Sequence, residues 1–369
     1  MSLAIAGMGW VTPLGRGVEE VWNRLLRGDE AVPRSISTGE DQKNYQCFQI
    51  PNDALKDLPP HPRLRRASAI SRFAAAAGLD AIASAKTKID MSRTALVLAV
   101  SNGGVTYTKR FYHGIVESGA QSASPLLFPE TVFNAPASHL AAILGIDGES
   151  YTIVGDGAVG TLAVQMASDL LDTADLDFCL VVAAEEADWI LCDAYHKWRL
   201  IRSHPPIESF CNPPRGTILS EGAGAVLLAR EGTLKIDAIS GGGSFSRRAK
   251  AMDVLGQVLT ELGDAAACII SSANGTFVDL AECAAIKQET AAPVVYAPKP
   301  ALGESVGASA IWQVIAAARA LETKRLPPTL HACENTSLRL SGDPDEIPTS
   351  AIVLSCGLNQ QAAGLRLSI

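Results

Sequence analysis

The chain has 369 residues, a formal charge of −8 at pH 7, 47% hydrophobic residues and 19% charged ones. A charged fraction below the roughly 25% of ordinary soluble proteins, with aromatics at only 5%, describes a large interior of small aliphatic side chains and excludes a disordered chain. The acidic balance also excludes the electrostatic footprint of a nucleic-acid binder, since the densest basic stretch (Arg63, Arg65, Arg66, Arg72) suits a solvated helix start. In chain order the pattern predicts a strand over Leu3–Met8, helices over Val18–Arg27 and Ser68–Ser84, and a strand over Thr94–Val100. Helices at Pro136–Leu144 and Gly160–Thr173 follow, then strands at Cys179–Ala184 and Ala223–Ala229. Beyond them come helix Lys250–Leu262, strand Cys268–Ser272, helix Leu280–Gln288, strand Val294–Ala297, helix Ala308–Leu321 and strand Ala351–Cys356.

Apolar strands alternating with Ala- and Leu-rich helices indicate an α/β fold with buried, largely parallel strands. No low-complexity tract divides the chain, but Arg230 to Ser246, with the triplet Gly241 to Gly243, reads as a midpoint between two α/β halves. We place the halves at 1–235 and 236–369, packed as one body. The longest uncharged apolar runs, such as Phe178 to Ala184, fall far short of a membrane span, so none is expected. Met1 to Trp10 carries no Lys or Arg before Arg16, which argues against a secretory signal. The eight cysteines (47, 179, 192, 211, 268, 283, 333 and 356) show no CxxC pair and no zinc-ligand spacing. Reduced, mostly buried thiols in a cytoplasmic protein, with no metal and no cofactor, are the expectation.

Four segments carry an identity. They are Ile5-Ala6-Gly7-Met8-Gly9-Trp10-Val11-Thr12-Pro13-Leu14-Gly15 with Val21-Trp22 and Leu25 to Gly28; Ser124-Pro125 through Phe128-Pro129, Asn134, His139-Leu140 and Leu144-Gly145; Arg215-Gly216 with Ser220-Glu221-Gly222-Ala223-Gly224-Ala225; and Lys299 with Gly303, Gly307 and Ala308. In this order they resemble the β-ketoacyl-acyl-carrier-protein synthases of the thiolase superfamily, over nearly the whole chain. The resemblance implies a duplicated five-layer αβαβα fold, a dimer, an acyl tunnel and a phosphopantetheine entrance. It also implies a cysteine nucleophile at a helix N-terminus, two histidines that stabilise an enolate, and a lysine with a glutamate.

That chemical set is replaced. The nucleophile turn Val154-Gly155-Asp156-Gly157-Ala158-Val159 puts Gly157 where the resemblance implies cysteine. The first histidine loop reads Ala273-Asn274-Gly275-Thr276, so Asn274 stands at the histidine, and the loop is shortened before Asp279 and Glu282. At the second histidine the spacing from Lys299 places Glu304, and Gln313 stands at the helical glutamate; only Lys299 is kept. The gate loop Ser355-Cys356-Gly357-Leu358-Asn359-Gln360 loses the family's Gly-rich character.

Asp156 is expected to cap the following helix, Asn274 to be a satisfied polar relic, Lys299 and Glu304 to form a buried structural ion pair, and Cys356 to be an inert core thiol. Asp156, Gln313, Cys356, Gly357 and Leu358 are the expected lining of the former pocket. The six histidines fall outside the catalytic positions, with His139 on the helix nearest the dimer contact. With Asn134, and with Tyr107, Phe111 and Tyr112, where the resemblance implies a dimer-contacting insertion and a solvent-facing loop is the alternative, it is an interface candidate. The sequence therefore reads as a condensing-enzyme fold without condensing activity of its own. The leading role is a chain-length-factor-type partner of an active ketosynthase, meeting acyl carrier protein only indirectly. The alternatives are other acyl-thioester chemistry through Asp156, Glu304 or Cys356, and a homodimeric acyl-binding scaffold.

Overall fold

The computed structural model describes residues 3–37, 43–263, 268–334, 336–342 and 348–369. The first half contains β1 (Leu3–Thr12), β2 (Gly15–Arg16), α1 (Val18–Leu26), β3 (Arg34–Ser37), β4 (Asn44–Phe48), α2 (Ala69–Ser84), β5 (Thr94–Val100), α3 (Val105–Ser118), α4 (Ala135–Leu144), β6 (Ser150–Val154), α5 (Val159–Thr173), β7 (Phe178–Glu185), α6 (Trp189–Lys197), β8 (Leu219–Ser220) and β9 (Gly222–Ala229). The second contains β10 (Lys235–Ser244), α7 (Ala251–Leu262), β11 (Cys268–Ile270), α8 (Phe277–Glu289), β12 (Val294–Tyr296), α9 (Lys299–Leu302), α10 (Ser309–Thr323), β13 (Arg339–Leu340), β14 (Ser350–Cys356) and β15 (Gln361–Ser368).

The large sheet runs β13-β12-β11-β14-β15-β10-β1-β9-β7-β5-β6. Its two arms repeat one plan, parallel strands outside and antiparallel pairs inside, and they join only where Leu3 and Ala4 of β1 pair with Ile236 and Lys235 of β10. The divide expected at residue 235 falls at the first residue of β10, so the stretch read as a connector is itself a strand. Helices α5 and α10 lie between the arms: α5 touches β5, β7, β10 and β15, while α10 touches β7, β9, β11, β14 and α5. Outside, α2 and α4 cover the first arm, and α7, backed by α8, covers the second. Helix, sheet, central helices, sheet and helix make five layers, the duplicated αβαβα arrangement of thiolase-like folds.

Composition explains the middle layer. Helix α10 is apolar nearly all round, burying Ala310, Ile311, Trp312, Val314, Ile315, Ala316, Ala317 and Ala318 at once, as a helix enclosed on every side must. Alanines let it approach both sheets, and Trp10, Trp22 and Trp312 fill the remaining space in the central core. No helix among the described residues is long and apolar enough to cross a membrane.

Two expectations need correction. The cysteines are not all free: Cys211 and Cys333, 122 residues apart, are joined as a disulfide with their Cα atoms 5.2 Å apart. Folding makes that proximity, which no sequence spacing records. The Tyr107 to Tyr112 stretch is not a loop but part of helix α3.

Candidate functional site

Strand β6 delivers the chain to Gly155, and the turn Asp156-Gly157-Ala158 enters α5, whose first turn lies at the centre of the molecule. Here the loop after β14 closes on the turn. A Cβ built on Gly157 would lie 2.9 Å from the Cα of Gly357, closer to backbone than real side chains come, and in ordinary contact, at 3.5 Å, with the carbonyl oxygen of Cys356. A Cβ on Gly357 would fall inside the Asp156 carboxylate. The two glycines thus sit against each other's turns, and a side chain at either position requires the turn or the gate loop to move.

Asp156 does not cap α5. Ala158 is the N-cap, without a side-chain bond, and only the Asp156 carbonyl reaches the helix, accepting from Val159 N at 2.8 Å. Its carboxylate turns instead to the gate loop and accepts from the Asn359 amide at 2.8 Å. Burial raises its pKa, and Glu304 adds to the rise, against the pull of the Gly157, Asn359 and Gln361 amides. Asp156 therefore tethers the loop that carries Gly357 and Leu358.

The two former histidine loops meet in a closed network. Glu304, 2% exposed, accepts from Lys299 Nζ at 2.7 Å and from Asn274 Nδ2 at 2.6 Å on Oε2, and from Ser309 Oγ at 3.0 Å on Oε1. Asn274 also accepts on Oδ1 from Thr276 Oγ1 at 2.6 Å and from Thr276 N at 3.2 Å. The Lys299 ammonium is held by Glu304 with both side chains almost wholly buried, where the ion pair costs desolvation that its hydrogen bonds must offset. Gln313 spends its amide on the Leu354 carbonyl at 2.7 Å, linking α10 to β14. Cys356 is buried, its amide accepted by Ser272 Oγ at 3.1 Å, and burial pushes its thiol well above the ordinary range.

Several buried carboxylates surround this network, and sequence reading had singled out none of them as functional. Asp279 accepts from the amides of Asn274 (2.7 Å), Gly275 and Phe210 (2.7 Å), and burial raises it to about 6. Glu282 accepts from Ser271, Ser272 and the Ser272 amide, and burial raises it to about 7. Glu185, at the end of β7, takes the amides of Ser101 (3.1 Å), Asn102 (3.2 Å) and Gly307 (3.1 Å) and is raised by burial to about 8. The only earlier signal was an acidic residue at the end of an otherwise apolar strand. All three satisfy loop amides, so they fix geometry.

The interface candidates lie elsewhere. Asn134 is the exposed N-cap residue of α4, and Tyr107, Phe111 and Tyr112 ride on α3, with Phe111 packed on Phe128 at 5.8 Å between ring centroids. His139 is half-buried against Glu130 at 2.5 Å. Burial alone would raise Glu130, but His139 and the Ser68 amide outweigh it and hold the carboxyl at about 2. Among the described residues, eight of the twelve large apolar side chains left exposed lie between residues 112 and 154, including Val116 at 82%, Phe128 at 55% and Tyr151 at 40%. Tyr151 and Val154 belong to β6, the end strand of the sheet among the described residues, where it pairs with β5 alone.

Two family descriptions match the chain: "Beta-ketoacyl synthase, N-terminal domain" over residues 2–233 and "Beta-ketoacyl synthase, C-terminal domain" over residues 242–333. The chloroplastic 3-oxoacyl-(acyl-carrier-protein) synthase I of Hordeum vulgare is 24% identical over 372 aligned positions, covering 89% of this chain and 79% of that protein. The 3-oxoacyl-(acyl-carrier-protein) synthase 2 of Staphylococcus aureus (strain COL) is 22% identical over 236 positions, 61% of this chain and 57% of that protein. Among solved structures, the ishigamide ketosynthase/chain length factor superposes with a TM-score of 0.88 at 20% identity, covering 100% of this chain and 98% of the other. A ketosynthase (ApeO) in complex with its chain length factor (ApeC) from Xenorhabdus doucetiae gives 0.84 at 18% identity, with 100% and 98% covered. At such identities the superpositions establish the fold, and the two family matches, spanning most of the sequence, establish descent: the chain belongs to the β-ketoacyl synthase family.

Proposed function

We propose that this chain is a non-condensing ketosynthase-like subunit of the chain-length-factor kind, which pairs with an active ketosynthase and shapes its product without forming carbon–carbon bonds itself. The observation that carries this reading is the closure at Gly157. Acyl transfer needs a nucleophile with room around it, and here the Cα of Gly357 lies 2.9 Å from where the first side-chain atom of residue 157 would sit, so a side chain there needs the gate loop to shift. The enolate step fares no better. Its two donors are replaced by Asn274 and Glu304, and the one retained cation, Lys299, is bound to Glu304 at 2.7 Å. A developing enolate at this point would face a carboxylate already holding its counter-ion.

A partner subunit is supported by the surface. An unpaired strand edge at β6 beside a cluster of exposed aromatic and aliphatic side chains is what a soluble chain covers in its working assembly. The solved ketosynthase of Xenorhabdus doucetiae is described in complex with its chain length factor, which makes a ketosynthase the natural partner class here. In such an assembly acyl carrier protein would be served by the active subunit. Thioester chemistry by Asp156, Glu304 or Cys356 finds less support, because the first tethers the gate loop, the second is ion-paired and the third is a buried thiol with a strongly raised pKa.

Co-expression with a ketosynthase encoded beside it, followed by size-exclusion chromatography, tests the reading. The expected result is one stable one-to-one complex; a monomer or homodimer that ignores the ketosynthase would contradict it.

A further inference from the structure

The Cys211–Cys333 cross-link belongs to none of the functions above. Cys211 lies in the long segment between α6 and β8, and Cys333 in the segment between α10 and β13, so the bond ties the first half to the second. The strands of chain around it are already zipped: Ser209 N donates to the His331 carbonyl at 3.1 Å, and Cys333 N donates to the Ser209 carbonyl at 3.0 Å. The residue between Ser209 and Cys211 reaches the former catalytic network. Phe210, held at a φ of 56°, donates its amide to Asp279 at 2.7 Å, and Asp279 in turn holds the amide of Asn274. Further along the same segment, Gly216 N donates to the Gly275 carbonyl at 2.7 Å.

The two sulfurs differ in access. Cys211 is buried, whereas Cys333 is partly exposed beside the exposed His331 and Glu334. Of the six cysteines outside this disulfide, five are buried and Cys283 is partly so. Burial raises Cys179 and Cys192 to about 12 and also pushes Cys47 and Cys356 well above the ordinary thiol range, so these are poor partners for exchange. Where disulfides occur in reducing compartments, they are usually transient and redox-sensing.

We propose that Cys211–Cys333 is a reversible thiol–disulfide clamp, exchanging with small dithiols through Cys333 and fixing the 207–216 segment against the Asn274–Asp279 loop. In the reducing direction a dithiol's thiolate attacks the Cys333 sulfur, the S–S bond breaks and Cys211 leaves as a thiolate that takes up a proton. The second thiol of the reductant then resolves the mixed disulfide. Cys333 is released as a thiol, and the reductant departs as a disulfide, its two electrons left on the sulfurs of Cys211 and Cys333. A small disulfide such as oxidised glutathione reverses the sequence. Opening the clamp frees the 207–216 segment without touching the Lys299–Glu304 pair, so the lining of the former pocket loosens while its centre stays shut.

The test uses the full-length protein. Alkylation under denaturing conditions after incubation with oxidised glutathione should block six thiols, and eight after dithiothreitol, with the Cys211–Cys333 peptide pair recovered by mass spectrometry only from the first sample. Hydrogen exchange of the oxidised and reduced wild-type protein should then show the amides of Ser209, Phe210, Gly216 and Cys333 exchanging about tenfold faster or more when reduced. Cys333→Ser should match the reduced wild type under both conditions, and Cys283→Ser should retain the difference. Eight alkylated thiols in the oxidised sample, or equal exchange at those four amides in the two wild-type states, would overturn the proposal whatever the variants do.

Discussion

Two regions of this molecule treat unsatisfied groups in opposite ways. At the centre of the molecule most polar groups meet inside the fold: Glu304 accepts from Asn274, Lys299 and Ser309, and Asp156 ties down the gate loop that carries Gly357. Between residues 112 and 154, by contrast, aromatic and aliphatic side chains stand in solvent along a sheet edge with no neighbour. A buried polar centre is stable when its groups find partners inside the fold. An exposed apolar surface marks a place where a partner can be found outside it. The proposed role rests on that contrast.

The sharpest way to break the comparison is to unbalance the closed centre. Lys299→Met leaves Glu304 buried with an uncompensated charge and should cost about 3–5 kcal/mol in denaturant unfolding. The double variant Lys299→Met with Glu304→Leu should recover most of that loss, because an apolar pair of similar volume needs no counter-ion. Recovery of none of it would mean that the pair is not the organising element.

Restoring the nucleophile is the next largest perturbation. Gly157→Cys forces the gate loop away from Gly357 and should destabilise by about 1–3 kcal/mol. Incubated with an acyl thioester and examined by intact mass spectrometry, the variant should take up no acyl group. Stable acylation without loss of stability would show that the pocket is open after all.

The buried carboxylates make the same point through pH. Folded Glu185 keeps its proton up to about 8 against a usual 4.5, so the folded chain binds more protons across that window and stability must fall as pH rises through it. Glu221 and Glu282, each at about 7, and Asp279, at about 6, act in the same direction. Glu130, held at about 2, acts oppositely, and its contribution is lost as pH falls from 4.5 towards 2. Stability should therefore peak on the acid side of neutrality. Glu185→Gln should remove at most about 1.4 kcal/mol per pH unit from the slope between pH 4.5 and 8, read from denaturant midpoints at several pH values. A slope unchanged by the substitution would remove Glu185 from this account.

The smallest effect on the isolated chain belongs to the open face. Phe128→Asp removes a ring that is 55% exposed and should change unfolding free energy by no more than about 0.5 kcal/mol. The same substitution should abolish co-elution with a ketosynthase, a loss that its neutral effect on folding makes attributable to the surface.

How far the sequence alone went follows from the same physics. Buried strands announce themselves by unbroken apolar runs, which is why β5, predicted at Thr94–Val100, appears at those residues. Strand β10 stayed hidden because its Ser240-Gly241-Gly242-Gly243 looks like a connector. Gly242 sits at a φ of 60°, and a Cβ there would collide with the Ala362 backbone of the neighbouring strand, so glycine is required by the pairing it seemed to forbid. Helix α3 was invisible because Val105, Thr106, Tyr107 and Thr108 favour strands and Gly114 interrupts it. At the site, the departures from the family pattern at Gly157, Asn274 and Glu304 are read from the sequence one by one, as the resemblance implies them. That Asn274 bonds to Glu304, that Asp156 serves the gate loop rather than the helix, and that Cys211 meets Cys333 are facts of tertiary contact that spacing does not encode.

The most direct measurement of the central claim is product analysis of carrier-protein-loaded substrates incubated with this chain alone, with an active ketosynthase alone, and with both. The account predicts no condensation by this chain alone, and a product length from the mixture that shifts when Phe128→Asp replaces the wild-type chain. Condensed product from this chain alone, or a length distribution from the ketosynthase that is the same with and without it, would contradict the account.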